Sequence, residues 1–98
     1  MIEARQTEIF RDWLAELRDA IAAKAVKRRL VRIQAGLFGD TRSVGGGVHE
    51  LRVAHGPGYR VYCARRGSLV VLPLCGGDKA SQARDIVRAK ALAADWME

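Results

Sequence analysis

The first third of the chain repeats apolar residues at the three-to-four spacing of amphipathic helices. Two stripes are present: Phe10, Trp13, Leu14, Leu17 and Ile21, followed by Val26, Leu30, Ile33 and Leu37. Thr7 precedes the first stripe and suits a helix N-cap, and residues 18–20 predict a break between the two segments. The pattern therefore predicts an N-terminal helical hairpin whose two apolar stripes lie in the core.

Beyond residue 47 the period changes from about four to two, as expected for strands. Three runs are strand-like, namely 48–55, 59–65 and 68–75, and Gly-Pro-Gly and Arg-Gly separate them. An antiparallel meander is expected. Residues 2–6 are predicted to be a short edge strand, and the glycine-rich segment 36–46 is predicted to be a loop.

The last segment returns to helical spacing. From Lys79 onward its apolar positions are Ile86, Ala89, Ala93 and Met97, with Asp85, Arg88 and Lys90 between them. The fold class predicted is thus α+β, with the helical hairpin on an antiparallel sheet and a C-terminal helix. Its 98 residues fit a single domain, 1–98.

Matching the apolar positions of the first two strands predicts their register. It gives two cross-strand pairs: Val53 with Val61, and Leu51 with Cys63. The opposite sheet face then collects four polar side chains: Glu50, Arg52, Arg60 and Tyr62. A two-residue turn at Arg66 and Gly67 would continue the core face with Val70, Leu72 and Leu74, and would place Val71, Pro73 and Cys75 beside the polar group. Lys79 would then lie within reach of Arg60.

The formal charge of +6 narrows the choice of partner. It favours a polyanion such as RNA or DNA, or an acidic protein segment. No apolar run approaches the roughly 18 to 20 residues of a membrane span, and the start lacks a signal-peptide pattern. We therefore expect a cytoplasmic protein without membrane contact.

Neither the cysteines nor the histidines have the spacing of a metal site. Cys63 and Cys75 are expected to be reduced core thiols, and His49 and His55 would need long-range convergence to join them. No metal and no cofactor are predicted.

The polar group suits phosphodiester chemistry in RNA. Arginine forks bind the phosphoryl oxygens, a carboxylate accepts the 2′-hydroxyl proton, and Lys or Tyr protonates the leaving oxygen. The alternative, which residue types alone favour, is a set of ordinary cross-strand ion pairs on a solvated sheet face.

Three sequence motifs carry a resemblance that spans nearly the whole chain: Glu50-Leu51-Arg52, Tyr59-Arg60-Val61-Tyr62 and Gly76-Gly77-Asp78-Lys79 with Gln82. They resemble the RelE/ParE superfamily toxins of bacterial type II toxin-antitoxin modules, in particular the HigB-like, phage-derived addiction module killer branch. Better-understood toxins often place a His or Tyr near the start of the last helix, where this chain has residues 78–81, Asp-Lys-Ala-Ser.

The resemblance implies a ribosome-dependent, metal-independent mRNA endoribonuclease that blocks translation. Its implied partners are the ribosome, mRNA and a cognate helix-turn-helix antitoxin, with operator DNA bound only through the antitoxin complex. The catalytic residues implied are Glu50, Arg52, Arg60, Tyr62 and Lys79, with Lys79 the first choice of general acid and Tyr62 the second. Contacts to RNA or the ribosome are implied for Lys24, Lys27, Arg28, Arg32, Asp78 and Gln82.

Three alternatives stay open. A ParE-like toxin of the same fold would inhibit DNA gyrase without nuclease activity. A basic nucleic-acid-binding module would have no activity at all. The basic residues of the second helix, among them Arg29, would in the plainest interpretation form only a solvated helix face.

Overall fold

The computed structural model describes residues 3–67 and 70–96. Its elements, in chain order, are β1 (Glu3–Ala4), α1 (Glu8–Glu16), α2 (Ala20–Gln34), β2 (Thr41–Gly45), β3 (Val48–Val53), β4 (Tyr59–Arg66), β5 (Val70–Gly77) and α3 (Gln82–Trp96). The strands form one sheet in the order β1-β5-β4-β3-β2. The β1 strand pairs parallel with β5, and every other pair is antiparallel. The predicted meander and edge strand are confirmed within the described residues.

The predicted helical hairpin is confirmed, and each helix begins at a side-chain cap. The Thr7 hydroxyl accepts a hydrogen bond from the Phe10 N–H at 3.0 Å and donates to the Leu74 carbonyl at 2.7 Å. Asp19 accepts from the N–H groups of Ile21 and Ala22, both at 3.1 Å. These caps satisfy N–H groups that have no partner inside the helix.

Both predicted stripes extend too far. Ile21 is 67% exposed, because α2 starts afresh after Asp19 and does not continue the face of α1. Leu37 is 63% exposed, because α2 ends at Gln34, before that residue. Met97 of the third stripe lies outside the described residues.

The sheet has a helix layer on each face. The helix-hairpin face, which includes Leu51, Val53, Val61 and Cys63, packs against Phe10, Val26, Leu30 and Ile33. The α3 face, which includes Val48, Glu50, Tyr62 and Ala64, lies against α3 through Ala89 and Ala93. The architecture is α+β with a RelE-like topology, as predicted.

The β2 strand corrects the prediction of a loop over residues 36–46. Thr41, Arg42 and Ser43 pair with Leu51, Glu50 and His49 of β3. Gly45, Gly46 and Gly47 all have positive φ, between 63° and 90°, so they form the tight reversal after β2. The glycines that indicated a loop are therefore the turn of a β-hairpin.

The register of β3 and β4 differs by two residues from the prediction. Leu51 lies opposite Val61, and Arg52 lies opposite Arg60. Because strand side chains alternate with period two, this shift preserves the predicted faces. Glu50, Arg52, Arg60 and Tyr62 do share one face.

The predicted facing of β5 is wrong for most of its residues. A two-residue turn at Arg66 and Gly67 would pair residue 65 with residue 68, but Arg66 pairs with Val70, so the register differs by an odd number of residues. An odd difference reverses the facing of each side chain. Leu72 therefore lies with Ala64 on the α3 face, and Val71 lies with Cys63 on the helix-hairpin face. Leu74 also joins the α3 side. A bulge beside Tyr62 and Cys63 then resets the alternation, so Cys75 pairs with Tyr62 as predicted, whereas Pro73 pairs with Cys63 on the other face.

Both cysteines are buried and free, as predicted. Burial raises the thiol pKa of Cys63, and it raises that of Cys75 to about 11. Both thiols therefore stay protonated near neutral pH and act as small apolar core groups. None of the described helices is long and apolar enough to cross a membrane.

Candidate functional site

The centre of the site is a carboxylate with no exposed surface. Glu50 is 0% exposed, and its Oε1 lies 3.2 Å from Arg42 Nε and 3.3 Å from Arg52 Nε. Its Oε2 accepts a hydrogen bond from Gln82 Nε2 at 2.9 Å and lies 3.7 Å from Arg60 Nε. We call Glu50, Arg42, Arg52, Arg60 and Gln82 the Glu50 cluster.

Strand pairing explains why these side chains meet. Arg42 on β2 and Tyr62 on β4 are both cross-strand partners of Glu50 on β3, and such partners share a face. Arg52 is two residues along β3, and Arg60 lies opposite it. The carboxylate is thus flanked on both neighbouring strands, and Gln82 approaches from the first turn of α3.

The electrostatics of the Glu50 cluster favour an ionised carboxylate. Burial raises the pKa of Glu50, but hydrogen bonds from Gln82 and Arg52 and the charge of Arg42 outweigh it, so the pKa falls below its ordinary value of 4.5. Three guanidinium groups against one carboxylate leave positive charge uncompensated. The three arginines differ in solvent exposure: the side chains of Arg42, Arg52 and Arg60 are 52%, 39% and 12% exposed.

Tyr62 lies opposite Glu50 on β4 and is 0% exposed. Burial raises the pKa of its phenol, and the charge of Glu50 raises it further. Its hydroxyl makes no hydrogen bond of good geometry with any group in residues 3–67 and 70–96. Because this hydroxyl is covered, it does not contact a substrate in this conformation. The role of Tyr62 as a general acid stays a prediction.

The turn into α3 explains Asp78, which was predicted to bind RNA. The Ser81 N–H donates to Asp78 Oδ1 at 3.2 Å, and the Asp78 N–H donates to the Ser81 hydroxyl at 3.3 Å. Ser81 also donates to the buried Asp85 carboxylate, which the sequence pattern placed between the apolar positions of α3. Asp78 therefore shapes the chain here, and Gln82, predicted as a binding residue too, holds Glu50.

Lys79 is exposed and lies near Arg60, as the sequence predicted. A Cβ built on Gly58 would lie 3.6 Å from Arg60 Nη1 and 3.9 Å from Lys79 Cβ. The structure therefore places the start of the Lys79 side chain near the edge of the Glu50 cluster.

Gly76 and Gly77, the adjacent glycines of the third motif, are each required by close contact with a different helix layer. A Cβ on Gly76 would lie 2.5 Å from the Trp13 ring on the helix-hairpin face. A Cβ on Gly77 would lie 1.9 Å from Asp85 Oδ2 and 2.7 Å from Ser81 Oγ on the α3 face. Successive strand residues face opposite ways, so the pair lets a helix approach β5 from each side.

The basic residues of α2 lie apart from this site. Lys24, Lys27, Arg28 and Arg32 are exposed on α2, which packs on the opposite face of the sheet from Glu50. Arg29 differs from them, because it donates to the carbonyls of Arg52, Phe38 and Asp40. It fixes the segment before β2 against the end of β3.

Arg42 is the site residue that the sequence argument missed, because it lies in the segment taken for a loop. The alternation of Thr41, Arg42, Ser43 and Val44 before the glycines was the available signal. Within the two described stretches, no three His, Cys, Asp or Glu side chains converge as metal ligands would. The absence of a metal stays a prediction.

Fold and site together define an α+β protein of RelE-like topology with an arginine-rich cluster on one sheet face. No family model matches the chain. A protein of Haemophilus influenzae strain Rd, described only as uncharacterized, is 44% identical over 92 residues, which cover 94% of this chain and 93% of that protein. The chain belongs to the same family as this Haemophilus influenzae protein.

Proposed function

We propose that this protein is the toxin of a type II toxin-antitoxin system and that it cleaves messenger RNA on the ribosome. The observation that carries the proposal is the Glu50 cluster, in which one buried carboxylate orients three arginines. Charge builds on phosphoryl oxygens during RNA cleavage, and oriented guanidinium groups stabilise it. The RelE-like topology and the three sequence motifs support the same class of toxin.

The burial of Glu50 changes the role proposed for it. Accepting a proton from a 2′-hydroxyl requires contact with the substrate, but Glu50 has no exposed surface, accepts three hydrogen bonds and pairs with Arg60. We assign it as a positioning residue for the arginines, and the proton of the attacking 2′-hydroxyl then passes to solvent water. Arg52 and Arg42, being more exposed, contact the phosphate, while Arg60 supports them from a more enclosed position.

Lys79 remains the proposed general acid. Its side chain is exposed and starts near Arg60, and its ammonium group carries a proton that the leaving 5′-oxygen requires. This role is separate from that of the arginines, which keep their protons.

The basic face of α2 is proposed as the ribosome contact. Lys27, Arg28 and Arg32 are exposed and lie away from the Glu50 cluster, so they are free to bind phosphates of ribosomal RNA. Reversing all three to Glu should weaken sedimentation with ribosomes and flatten its salt dependence. Unchanged binding and slope would show that this face is only solvated surface.

The cognate antitoxin is proposed to be a helix-turn-helix protein that lays an acidic or apolar segment on the toxin. The charge of +6 favours such a partner and speeds its association. Covering the Glu50 cluster or the α2 face would each stop activity. Operator DNA is then bound only through the antitoxin.

Pulse labelling after expression without antitoxin tests the function. Incorporation of labelled amino acid should fall before incorporation of labelled thymidine, because translation is the proposed target. The Arg52→Ala variant should lose the effect, whereas Arg84→Ala, which removes an exposed arginine of α3, should keep it. Earlier loss of DNA synthesis, with loss of supercoiling, would contradict the proposal.

The gyrase inhibitor remains a second candidate, and one observation favours it. The single carboxylate of the Glu50 cluster is buried, so the cluster presents no exposed general base. An inhibitor needs none. We favour the nuclease because an arginine cluster with a neighbouring lysine suits phosphoryl transfer, which a purely steric inhibitor does not require.

A further inference from the structure

A small pocket adjoins the Glu50 cluster at the junction of β3 and β4. Its volume is about 200 Å³, and its lining residues are Asp40, Arg52, Val53, Ala54, Gly58, Tyr59 and Arg60. Arg52 and Arg60 belong to both the pocket and the cluster. Any group in the pocket is therefore next to the arginines proposed to hold a phosphate.

One wall of the pocket is fixed through the backbone. Arg29 Nη2 donates to the Asp40 carbonyl at 3.1 Å, and the Arg52 N–H donates to the same oxygen at 3.0 Å. Arg29 Nη1 also donates to the Arg52 carbonyl. The main chain of Asp40 is thus anchored to β3, while its carboxylate has no hydrogen-bond or ion-pair partner among the described residues.

The opposite wall is fixed through side chains. The Tyr59 ring packs edge-on against Trp13, with ring centroids 6.5 Å apart and an interplanar angle of 64°. Arg60 Nη1 donates to the Gly58 carbonyl at 2.9 Å, and Gly58 itself has a φ of 78°. The pocket therefore exists before any ligand binds, which lowers the entropy cost of binding.

We propose that this pocket binds the RNA base next to the phosphate held by the arginines, and that Asp40 makes it select guanine. This inference rests on the proposed function, because it assigns a base to the same substrate. Single-stranded RNA is recognised by stacking on aromatic rings and by hydrogen bonds to exposed base edges. The residues that line the pocket include an aromatic residue, an acidic residue and two arginines.

The choice of guanine follows from hydrogen-bond chemistry. An ionised carboxylate only accepts, and it accepts two parallel bonds best. The Watson–Crick edge of guanine offers two adjacent donors, N1–H and the N2 amino group, whereas adenine, cytosine and uracil each offer one. A single base also suits this volume, since drug-sized ligands fill pockets of roughly 300–1,000 Å³.

Calorimetric titration of the full chain with the four nucleoside 3′-monophosphates tests the assignment. Guanosine 3′-monophosphate should bind about tenfold tighter than the other three, within the range typical of one bidentate base contact. Asp40→Asn should reduce this preference to about twofold or less, because an amide lacks the second acceptor. Asp12→Asn, which changes an exposed acid of α1, should leave the preference unchanged.

Thermal melting of each variant should match that of the wild-type protein, because Asp40 holds its position through its carbonyl group. Equal affinity for the four nucleotides, no binding of any of them at millimolar concentration, or a guanine preference that survives in a folded Asp40→Asn protein would each overturn the inference.

The pocket and the proposed function fail in different ways. If translation continues on expression but the Asp40-dependent guanine preference is present, the pocket stands and the toxin function falls. If messenger RNA is cleaved while its cleavage sites show no guanine preference that Asp40→Asn removes, the guanine pocket falls and the nuclease stands.

Discussion

The two faces of the sheet are stabilised in different ways. The helix-hairpin face is an aliphatic and aromatic core in which Phe10, Val26 and Ile33 are 0% exposed. The α3 face buries Glu50 and Asp85 among small residues such as Ala89 and Ala93. Burying apolar surface stabilises a fold directly, whereas a buried charge costs free energy unless it is paired.

This difference separates stability from function. The helix-hairpin face needs only apolar side chains of suitable volume, and many sequences satisfy that condition. The α3 face needs specific partners, because the buried Glu50 carboxylate is compensated by Gln82 and by the arginines around it. We infer that the helix-hairpin face mainly maintains the fold and that the α3 face carries the activity.

Glu50→Gln should produce the largest effect on the α3 face. It leaves the enclosed Arg60 without its counter-ion, and breaking a buried pair of this kind costs roughly 3 kcal/mol. Urea unfolding should show this loss, and Glu16→Gln, at an exposed position of α1, should change stability by less than about 0.5 kcal/mol. Equal stability of the two variants would mean that Glu50 is not the organising charge.

The same variant has a defined pH dependence. A carboxylate with a depressed folded pKa contributes stability above its unfolded pKa and loses it as the pH falls through the folded pKa. For Glu50 the difference between wild type and Glu50→Gln should be constant near pH 7 and should narrow below pH 4.5, its ordinary pKa. A stability difference that widens in acid would contradict a lowered pKa for Glu50.

Alanine at each glycine of the Gly76-Gly77 pair should disturb one face at a time. Gly76→Ala forces the Trp13 ring away from the helix-hairpin face, and Gly77→Ala forces Asp85 and Ser81 away from the α3 face. Each should cost about 1–3 kcal/mol through overpacking. Gly36→Ala is the control: nothing lies within 4 Å of its Cβ position, and its φ of 84° should cost only about 1 kcal/mol. Gly77→Ala with full stability would show that α3 is not seated as described.

Tyr62→Phe should have the smallest effect. The hydroxyl is buried without a well-formed hydrogen bond, so its removal should change stability by less than about 1 kcal/mol. Growth arrest on expression should persist, because the covered phenol is not expected to donate a proton to RNA. A folded Tyr62→Phe protein that no longer arrests growth would restore Tyr62 as a candidate acid.

The sequence predicted the membership of the polar face even though its predicted register was off by two residues. An even shift preserves side-chain facing, so Glu50, Arg52, Arg60 and Tyr62 still share a face. For β5 the shift was odd, and Leu72 moved to the other face. The alternation of side chains within a strand can thus be predicted reliably from the sequence, whereas the length of a turn cannot.

The burial of Glu50 depended on contacts that no local pattern contains. Arg42 lies on β2, which the adjacent glycines led us to predict as a loop. Gln82 lies on α3, 32 residues after Glu50 in the chain. The exposed Ile21 reflects a cap at Asp19 that interrupts one helical face. Periodicity thus predicts the face on which a side chain lies, whereas long-range contacts and helix caps determine whether that side chain is buried.

The most direct test of the α3 face as the active face is Arg60→Lys. Arg60 reaches Glu50 through Nε and the Gly58 carbonyl through Nη1, and a lysine has one nitrogen for both contacts. Cleavage sites in messenger RNA should be mapped by primer extension after expression of the wild type, Arg60→Lys and the exposed-site control Arg84→Lys. We expect Arg60→Lys to lose most cleavage while its melting temperature stays close to that of the wild type, and Arg84→Lys to cleave normally. A folded Arg60→Lys protein that cleaves as well as the wild type would contradict the assignment of activity to this face.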